Sequence, residues 1–513
     1  MINSKFKIDL SLILLSLLPF GLVIGPLIAE IIINTIILIF LFNSIKNKNF
    51  FIFKNKIFIF FLLFYIYLII NLFLSGFLQQ SGLNIFAYIR FIFFPMAIYF
   101  ILQKNDKNIK LVFIFLSLTI LIVVLDGYYQ FIFEKNLLGY EKYRVDRISG
   151  FFKDDLVLGS FLSRLLPLFI ALILFFKNDL KLTVLNLFIF LLAFIMIFLS
   201  GERAAFFTSL LTLFIINIQI KSFFYLRLIF SSILILLVSI IIFNNPTISD
   251  RYIQQTKNHI FGNLKKSNID INKILPNYMP MFKTSFKMFE ENKLLGMGPK
   301  SYRYLCDDKR FINYFPQLHL IDNTVIKFKQ SWKEKGIVNL ERFYIKEGDI
   351  IEKNDKIFSY KFNNDKKIQI YLSDKDGEIK KIYKKNQYQP DEVVLDIVPK
   401  NLPDKKYYYK DACNSHPHNF YIQILAEIGL IGFIFIFGIF TYLFYLLVKN
   451  LFYKYFKKKN LFTDSELCIL IGLFMVLWPL NTNGNFFNNW INLISFYPLG
   501  FFFYLFNKKF QNK

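Results

Sequence analysis

Residues 415–432 read SHPHNFYIQILAEIGLIG and run without interruption into the apolar stretch FIFIFGIFTYLFYLLV at 433–448. From about Asn419 onward the chain is apolar over enough residues, at 1.5 Å of rise each, to cross a bilayer as one helix. His416 and His418 stand on the last residues of a polar loop with Pro417 between them, so imidazole chemistry falls at a boundary between water and lipid. The chain contains 4 histidines, His259, His319, His416 and His418, and two of them lie here. Three roles are open to this pair. The histidines cap the helix, with Asn419 as an alternative cap; they bind a metal, for which no Cys or carboxylate lies beside them at helical spacing; or one of them is a general base on the membrane surface.

Outward from this stretch the same pattern repeats. The 513 residues are 55% hydrophobic, Phe alone contributes 67, and charged residues gather in short blocks between apolar runs. Runs of about spanning length occur at 9–25, 27–43, 57–77, 84–102, 111–126, 156–176, 182–200, 204–220, 226–243, 419–448, 465–481 and 489–506, which predicts an all-α polytopic membrane protein of about twelve helices. The first run is not read as a cleaved signal, because Pro26 and a second apolar run follow it at once. The expected division is membrane helices in 1–243, a large loop at 244–418, and membrane helices in 419–513.

Basic residues orient the chain. With a cytoplasmic N-terminus, the inner segments carry 21 Lys and Arg, whereas the short outer turns carry only Arg203. The positive-inside rule then puts both termini in the cytoplasm and the long loops 127–155 and 244–418 outside. Much of the net charge of +25 is accounted for by this topology, and nucleic acid is not needed as a partner.

The topology collects the unusual polar residues on one side. Arg90 and Arg164 fall roughly 9 and 12 Å below the outer ends of their helices; Arg203 is in an outer turn, Arg144 and Arg147 are in the first outer loop, and the histidines close the second. An arginine inside a spanning helix is costly unless it meets a partner or a watery cavity. Each has a structural alternative: Arg203 snorkels at a helix end, and Arg90 or Arg164 pairs with Asp126 or Glu427. Taken together they suggest an outer anion site, because guanidinium presents phosphate with a planar fork that stays charged.

The segment HPHNFYIQILAEIGLIG resembles the signature of the O-antigen ligase and polysaccharide polymerase family, in which a histidine followed by asparagine opens a membrane helix carrying Glu, Gly and Gly. SGERAAFF at 200–207, RISGFFKDDLVLGSFLSRLLPLF at 147–169, LLGMGPKSYR at 294–303 and WPLNTNGNFFNNW at 478–490 are similar to further parts of that family. The resemblance implies a GT-C-type glycosyltransferase on the outer face of a bacterial inner membrane. Its donor would be a glycan on undecaprenyl diphosphate, and its acceptor lipid A core or a growing glycan. His418 matches the motif base, and Arg203 the arginine that holds the diphosphate. The family's further loop arginine is not matched within NYMPMFKTSFKMF at 277–289; Lys283, Lys287 or Arg303 would substitute.

The chemistry also follows from the residues. A sugar diphosphate has a good leaving group, so catalysis needs a base, cations for the departing charge, and orientation. His418, with His416 beside it, supplies the base; Arg203, Arg147, Arg164, Arg90 and Arg303 are the candidate diphosphate ligands. Neighbouring positive charge is expected to hold the His418 pKa down. No metal and no cofactor are implied. Asp154 and Asp155, the one acidic pair near the arginines, read as solvated loop acids or a cation site. Glu427 points away from His418 on a continuous helix and is read as a structural partner, with Gly429 and Gly432 allowing close helix approach.

The loop 244–418 carries 32 basic and 22 acidic residues. Within it, 337–399 changes character to short β-rich runs with turn signals at Gly348, Asn363 to Asn364 and Gly377, a pattern that looks like a biotinyl/lipoyl-type barrel-sandwich hybrid without the modified-lysine signature. It is read as a glycan- or partner-binding module or as a spacer. Cys306 and Cys413 bracket it, and an oxidising periplasm would let them pair. Cys468 reads as packing. The other function classes are a lipid-glycan transporter or flippase, which should show repeat symmetry or mid-membrane charge, and a non-catalytic scaffold, which leaves the His and Arg residues without a role.

Overall fold

The computed structural model describes residues 9–48, 50, 53, 55–104, 106–144, 146–257, 278–306, 308, 310–311, 325–327, 338–362, 368–373, 376–385, 387–388, 392–399, 413–482 and 484–511. His259, His319 and the expected turn at Asn363 to Asn364 lie outside these residues.

Helices follow the apolar runs. In the first half they are α1 (Leu10–Ile24), α2 (Pro26–Lys46), α3 (Lys56–Leu74), α4 (Leu78–Phe86), α5 (Arg90–Gln103), α6 (Asp106–Phe133), α7 (Leu158–Phe175), α8 (Leu180–Leu199), α9 (Arg203–Gln219) and α10 (Phe224–Asn244). After the large loop come Phe420–Phe456, Asp464–Val476 and Asn489–Gln511. Polar residues at the ends of the runs start the helices. Asp9, Asn55 and Asp179 accept from Ser11, Ile57 and Leu182 N–H groups, and Thr463 closes a reciprocal capping box with Glu466. Among the described residues, eight helical segments are long and apolar enough to cross a membrane, and α1 and α9 are shorter apolar helices.

The outer surface of these helices fits lipid better than water. Leu234 is the buried residue of α10, while Ile229, Ile235, Leu236 and Phe243 are all more than half exposed. A helix apolar on every side, with its bulky side chains facing outward, belongs in hydrocarbon.

The helix Phe420–Phe456 is not continuous. Ile428 and Gly429 leave helical geometry, and Gly429 takes φ +63°. The groups freed by the break are met by a loop segment: Leu430 and Ile431 N–H donate to the Lys293 and Leu294 carbonyls (2.8 and 3.3 Å), and Met297 and Gly298 N–H donate to the Ala426 and Glu427 carbonyls (2.9 and 2.7 Å). From α3, the Tyr67 hydroxyl donates to the Ile428 carbonyl and the Asn71 amide to the Leu295 carbonyl, both at 2.5 Å. Irregular backbone is tolerated at such depth only where protein satisfies its polar groups. A Cβ at Gly429 would stand 2.3 Å from the Leu294 carbonyl oxygen, so this glycine admits the loop rather than a neighbouring helix. At Gly432 a Cβ would meet Ile428 of its own helix. The expected role in helix approach is therefore corrected for Gly429, whereas the Gly432 backbone stands within hydrogen-bonding range of Tyr67 on α3.

The chain divides into two compact units, and the second comprises Met279–Thr284 and Leu305–Asn414. It contains two four-stranded antiparallel sheets, ordered β1-β8-β6-β3 and β5-β4-β2-β7. The strands are β1 (Val325–Lys327), β2 (Val338–Phe343), β3 (Ile350–Ile351), β4 (Lys356–Phe362), β5 (Gln369–Leu372), β6 (Gly377–Ile382), β7 (Gln387–Tyr388) and β8 (Val393–Pro399). Their inward residues, among them Val338, Phe358, Ile379 and Leu395, form a core separate from that of the helices. Cys306 and Cys413 are joined in a disulfide with Cα atoms 5.0 Å apart, closing a separation of 107 residues. In the chain-entropy account a loop of that length stabilises by about 4 to 5 kcal/mol. Cys468 is buried and free.

Candidate functional site

Asn419, rather than either histidine, caps the long helix. Its side-chain oxygen accepts from Tyr421 and Ile422 N–H at 3.0 and 3.2 Å, while its amide donates to the Pro479 carbonyl at 2.8 Å. That leaves the imidazoles for other work. Ser415 Oγ lies 2.8 Å from His416 Nδ1, and the Asn485 amide donates to the Ser415 carbonyl at 3.0 Å, which holds the approach to the helix from two sides. The rings of His416 and His418 are 4.2 Å apart, and Tyr278 stands edge-on to His418 at 5.6 Å. His418 has φ +58°. A left-handed backbone costs a non-glycine residue about 1 kcal/mol or more, and such strain persists where the surroundings dictate it. His416 is buried, whereas His418 is part-exposed.

The His418 pKa is lowered. Burial of the ring is a cause of the shift. His418 is thus kept neutral, and able to accept a proton, at neutral pH.

The arginines separate into groups. The turn after α8 and the loop before α7 interlock: Ile148 N–H donates to the Ser200 carbonyl at 3.3 Å. Gly201 takes φ +70° at a point where a Cβ would stand 2.5 Å from the Asp146 carbonyl oxygen. Glu202, buried just before α9, turns its carboxylate onto the N-terminus of α7, accepting from Gly159 N–H (2.6 Å), Ser160 N–H (3.2 Å) and the Ser160 hydroxyl (2.6 Å). Burial pushes its pKa up, against the pull of Ser160 and Arg147. Arg147 donates to the Leu156 carbonyl at 2.9 Å and has Glu202 in electrostatic range; burial still pulls its pKa down. Arg203 reaches the Thr256 hydroxyl at 3.2 Å, and the Tyr278 phenol and Arg147 are within its electrostatic range. Tyr278 therefore links the arginines to His418.

Arg251 belongs to the same group. It makes an ion pair with Asp146 at 3.3 Å and donates to the Gly201 carbonyl at 3.1 Å. Burial, then the charge of Arg203, pushes its pKa down to about 10. Arg144 grips Asp146 with two hydrogen bonds of 3.0 and 3.2 Å. Burial alone would raise the Asp146 pKa, but these arginines hold it below the usual range.

Two predicted ligands lie elsewhere. Arg90 is paired with Glu30 of α2 at 2.9 Å, and its guanidinium lies over Phe91. Its partner is neither Asp126 nor Glu427, and the pairing removes Arg90 from the anion site. Arg303 is exposed and shares the neighbourhood of Lys300 and Glu427. Glu427 accepts from Lys300 and Tyr302 N–H, both at 3.1 Å, and from the Gln423 amide at 3.0 Å. The helix break one residue later lets it hold the loop that follows Gly298. Asp154 and Asp155 are exposed, and among the described residues no group of three metal-ligating side chains is present.

Glu202, Tyr278 and Arg251 escape sequence reasoning. Glu202 stands beside Arg203 and has a signal; Tyr278 and Arg251 are brought in only by the fold. No protein-family model and no curated protein matches this chain in sequence comparison.

Proposed function

We propose that the chain is a glycosyltransferase that moves a glycan from undecaprenyl diphosphate to an acceptor hydroxyl, in the manner of an O-antigen ligase or polymerase. The observation that carries this reading is His418. Its pKa is lowered by burial, its backbone is left-handed, and it meets Tyr278, which lies within electrostatic range of Arg203. His418 takes the proton of the acceptor hydroxyl, the acceptor oxygen bonds to the anomeric carbon, and the bond from that carbon to the diphosphate breaks. The departing charge is stabilised by Arg203 and Arg147, without a call on a metal ion. An apolar cavity of about 810 Å³, lined by Phe64, Tyr88, Phe420, Phe435 and Phe496 among others, supports a lipid-borne substrate.

The reading includes twelve crossings, counting α4 with α5 as one and the helices after residue 460 as two. It also puts both termini in the cytoplasm and the active face in the periplasm of a bacterial inner membrane. The acceptor is lipid A core or the growing glycan. The two-sheet unit is read as a barrel-sandwich-like module that binds glycan or a partner, and no cofactor is assigned to it.

The test is transfer by purified protein from a fluorescent undecaprenyl-diphosphate oligosaccharide. His418→Ala should lose about 100-fold or more of the rate while still binding donor, and His416→Ala should lose less. Near-normal transfer by the His418 variant removes the base from the mechanism.

A further inference from the structure

Arg164, a candidate diphosphate ligand by sequence, opens onto a cavity of its own. The cavity, about 30 Å³, lies among α7, α9 and the segment around 472–482, and its lining includes Arg164, Ser163, Thr208, Thr212, Asn481 and Thr482. Ala204 and Ala205, next to Arg203, also line it. Arg164 has one long hydrogen bond, 3.5 Å to the Ser160 carbonyl, and no ion pair at contact distance among the described residues. The acid within its electrostatic range is Glu202, whose oxygens already accept from Gly159 and Ser160 and which also faces Arg147. Arg144, Arg147, Arg164, Arg203 and Arg251 thus form one network in which, among the described residues, the carboxylates are Asp146 and Glu202. A guanidinium within a membrane helix requires a counter-charge or water.

The charge of Arg164 is what draws an anion to this cavity. Ser163 and Thr212 donate their hydroxyls back to the Ser160 and Thr208 carbonyls, and Thr208 donates to the Ala204 carbonyl at 2.5 Å. Thr208 also lies 3.5 Å from Asn481 Oδ1, which leaves the Asn481 amide N–H groups for the cavity. The hydroxyl oxygens of Ser163, Thr208 and Thr212 keep lone pairs, and the donors that remain for a negative guest are those of Arg164, Asn481 and Thr482. The volume admits one or two water-sized particles, which is too little for a phosphate group.

We propose that this cavity is a binding site for a small monovalent anion of chloride size, the resident counter-ion of Arg164. The site is independent of the transferase reading. Thermal melting of the purified protein in gluconate buffer, titrated with chloride or bromide at constant ionic strength, tests it. The expected result is a saturable rise of about a few degrees, with bromide located beside Arg164 by anomalous diffraction. Arg164→Gln should abolish the response. Should that variant fail to fold, Asn481→Asp supplies a tethered carboxylate, and its melting should no longer depend on halide. A response equal for gluconate and halide, or one that persists in either variant, overturns the proposal. Release of the bromide by inorganic pyrophosphate would overturn it too, by assigning the seat to a substrate phosphate. Absence of transferase activity would leave the halide response unchanged.

Discussion

Arg90 and Arg203 both carry guanidinium groups into apolar surroundings, and the molecule treats them differently. Arg90 meets Glu30 at 2.9 Å, lies over Phe91, and donates to the Ala87 carbonyl at 2.6 Å, so its charge is matched within the helices. Arg203 has a hydroxyl for a partner, and among the described residues the group around it contains more guanidinium than carboxylate. Charge matched internally holds a fold together, whereas charge left over is available to a ligand.

The largest effect should come from the unmatched side. Arg203→Ala is expected to lower transfer by about a thousandfold with little change in melting temperature. Arg203→Lys should recover part of it, because an ammonium lacks the two-pronged donor. A collapse of stability with normal donor affinity would put Arg203 in the same class as Arg90.

Arg90 should show the reverse. Arg90→Met leaves Glu30 without its partner, at a cost of about 3 kcal/mol where such a pair is well buried, while donor affinity per folded molecule stays unchanged. Glu30→Met together with Arg90→Met should regain much of the loss, since two apolar side chains replace the pair. Thermal melting of the three variants decides the point. Additive losses would mean that the two residues act independently.

Much of this contrast was hidden in the sequence. The helices were legible because apolar runs and charged breaks report membrane length directly, and the β-rich change of character at 337–399 was legible from its turns. The histidine pair stood out by scarcity. Arg90 and Arg203 looked alike because the partner that distinguishes them, Glu30, lies 60 residues from Arg90 on another helix. The break at Gly429 was equally hidden, since the loop that satisfies it, Lys293–Gly298, belongs to a distant part of the chain.

His418 belongs to the unmatched end, and burial lowers its pKa. The active form is the neutral imidazole, so activity should fall as pH drops through a midpoint below the ordinary histidine value of about 6.5. A pH profile of kcat/KM at low and high salt separates the two causes. Screening would move a midpoint set by the arginines, whereas one set by burial stays in place. A midpoint that climbs with salt would return His418 to the electrostatic account.

Glu202 tests where the two kinds of charge meet, and its effect should be the smallest. Its carboxylate is spent on the first turn of α7, through Gly159 and Ser160, yet it also stands as a counter-charge to Arg147. Glu202→Gln keeps one acceptor oxygen and replaces the other with an amide that cannot accept. The loss should resemble that of a helix cap, about 1 kcal/mol. Removal of a negative charge beside the arginines should, at neutral pH, tighten binding of a diphosphate by a few-fold. Stability and affinity therefore move in opposite directions, which a merely damaged site would not do. Weaker binding would show that Glu202 positions Arg147 for the ligand rather than opposing it. Unchanged affinity, with the same loss of stability, would mean that the buried carboxyl already carries a proton and that Arg147 is unmatched even before the substitution.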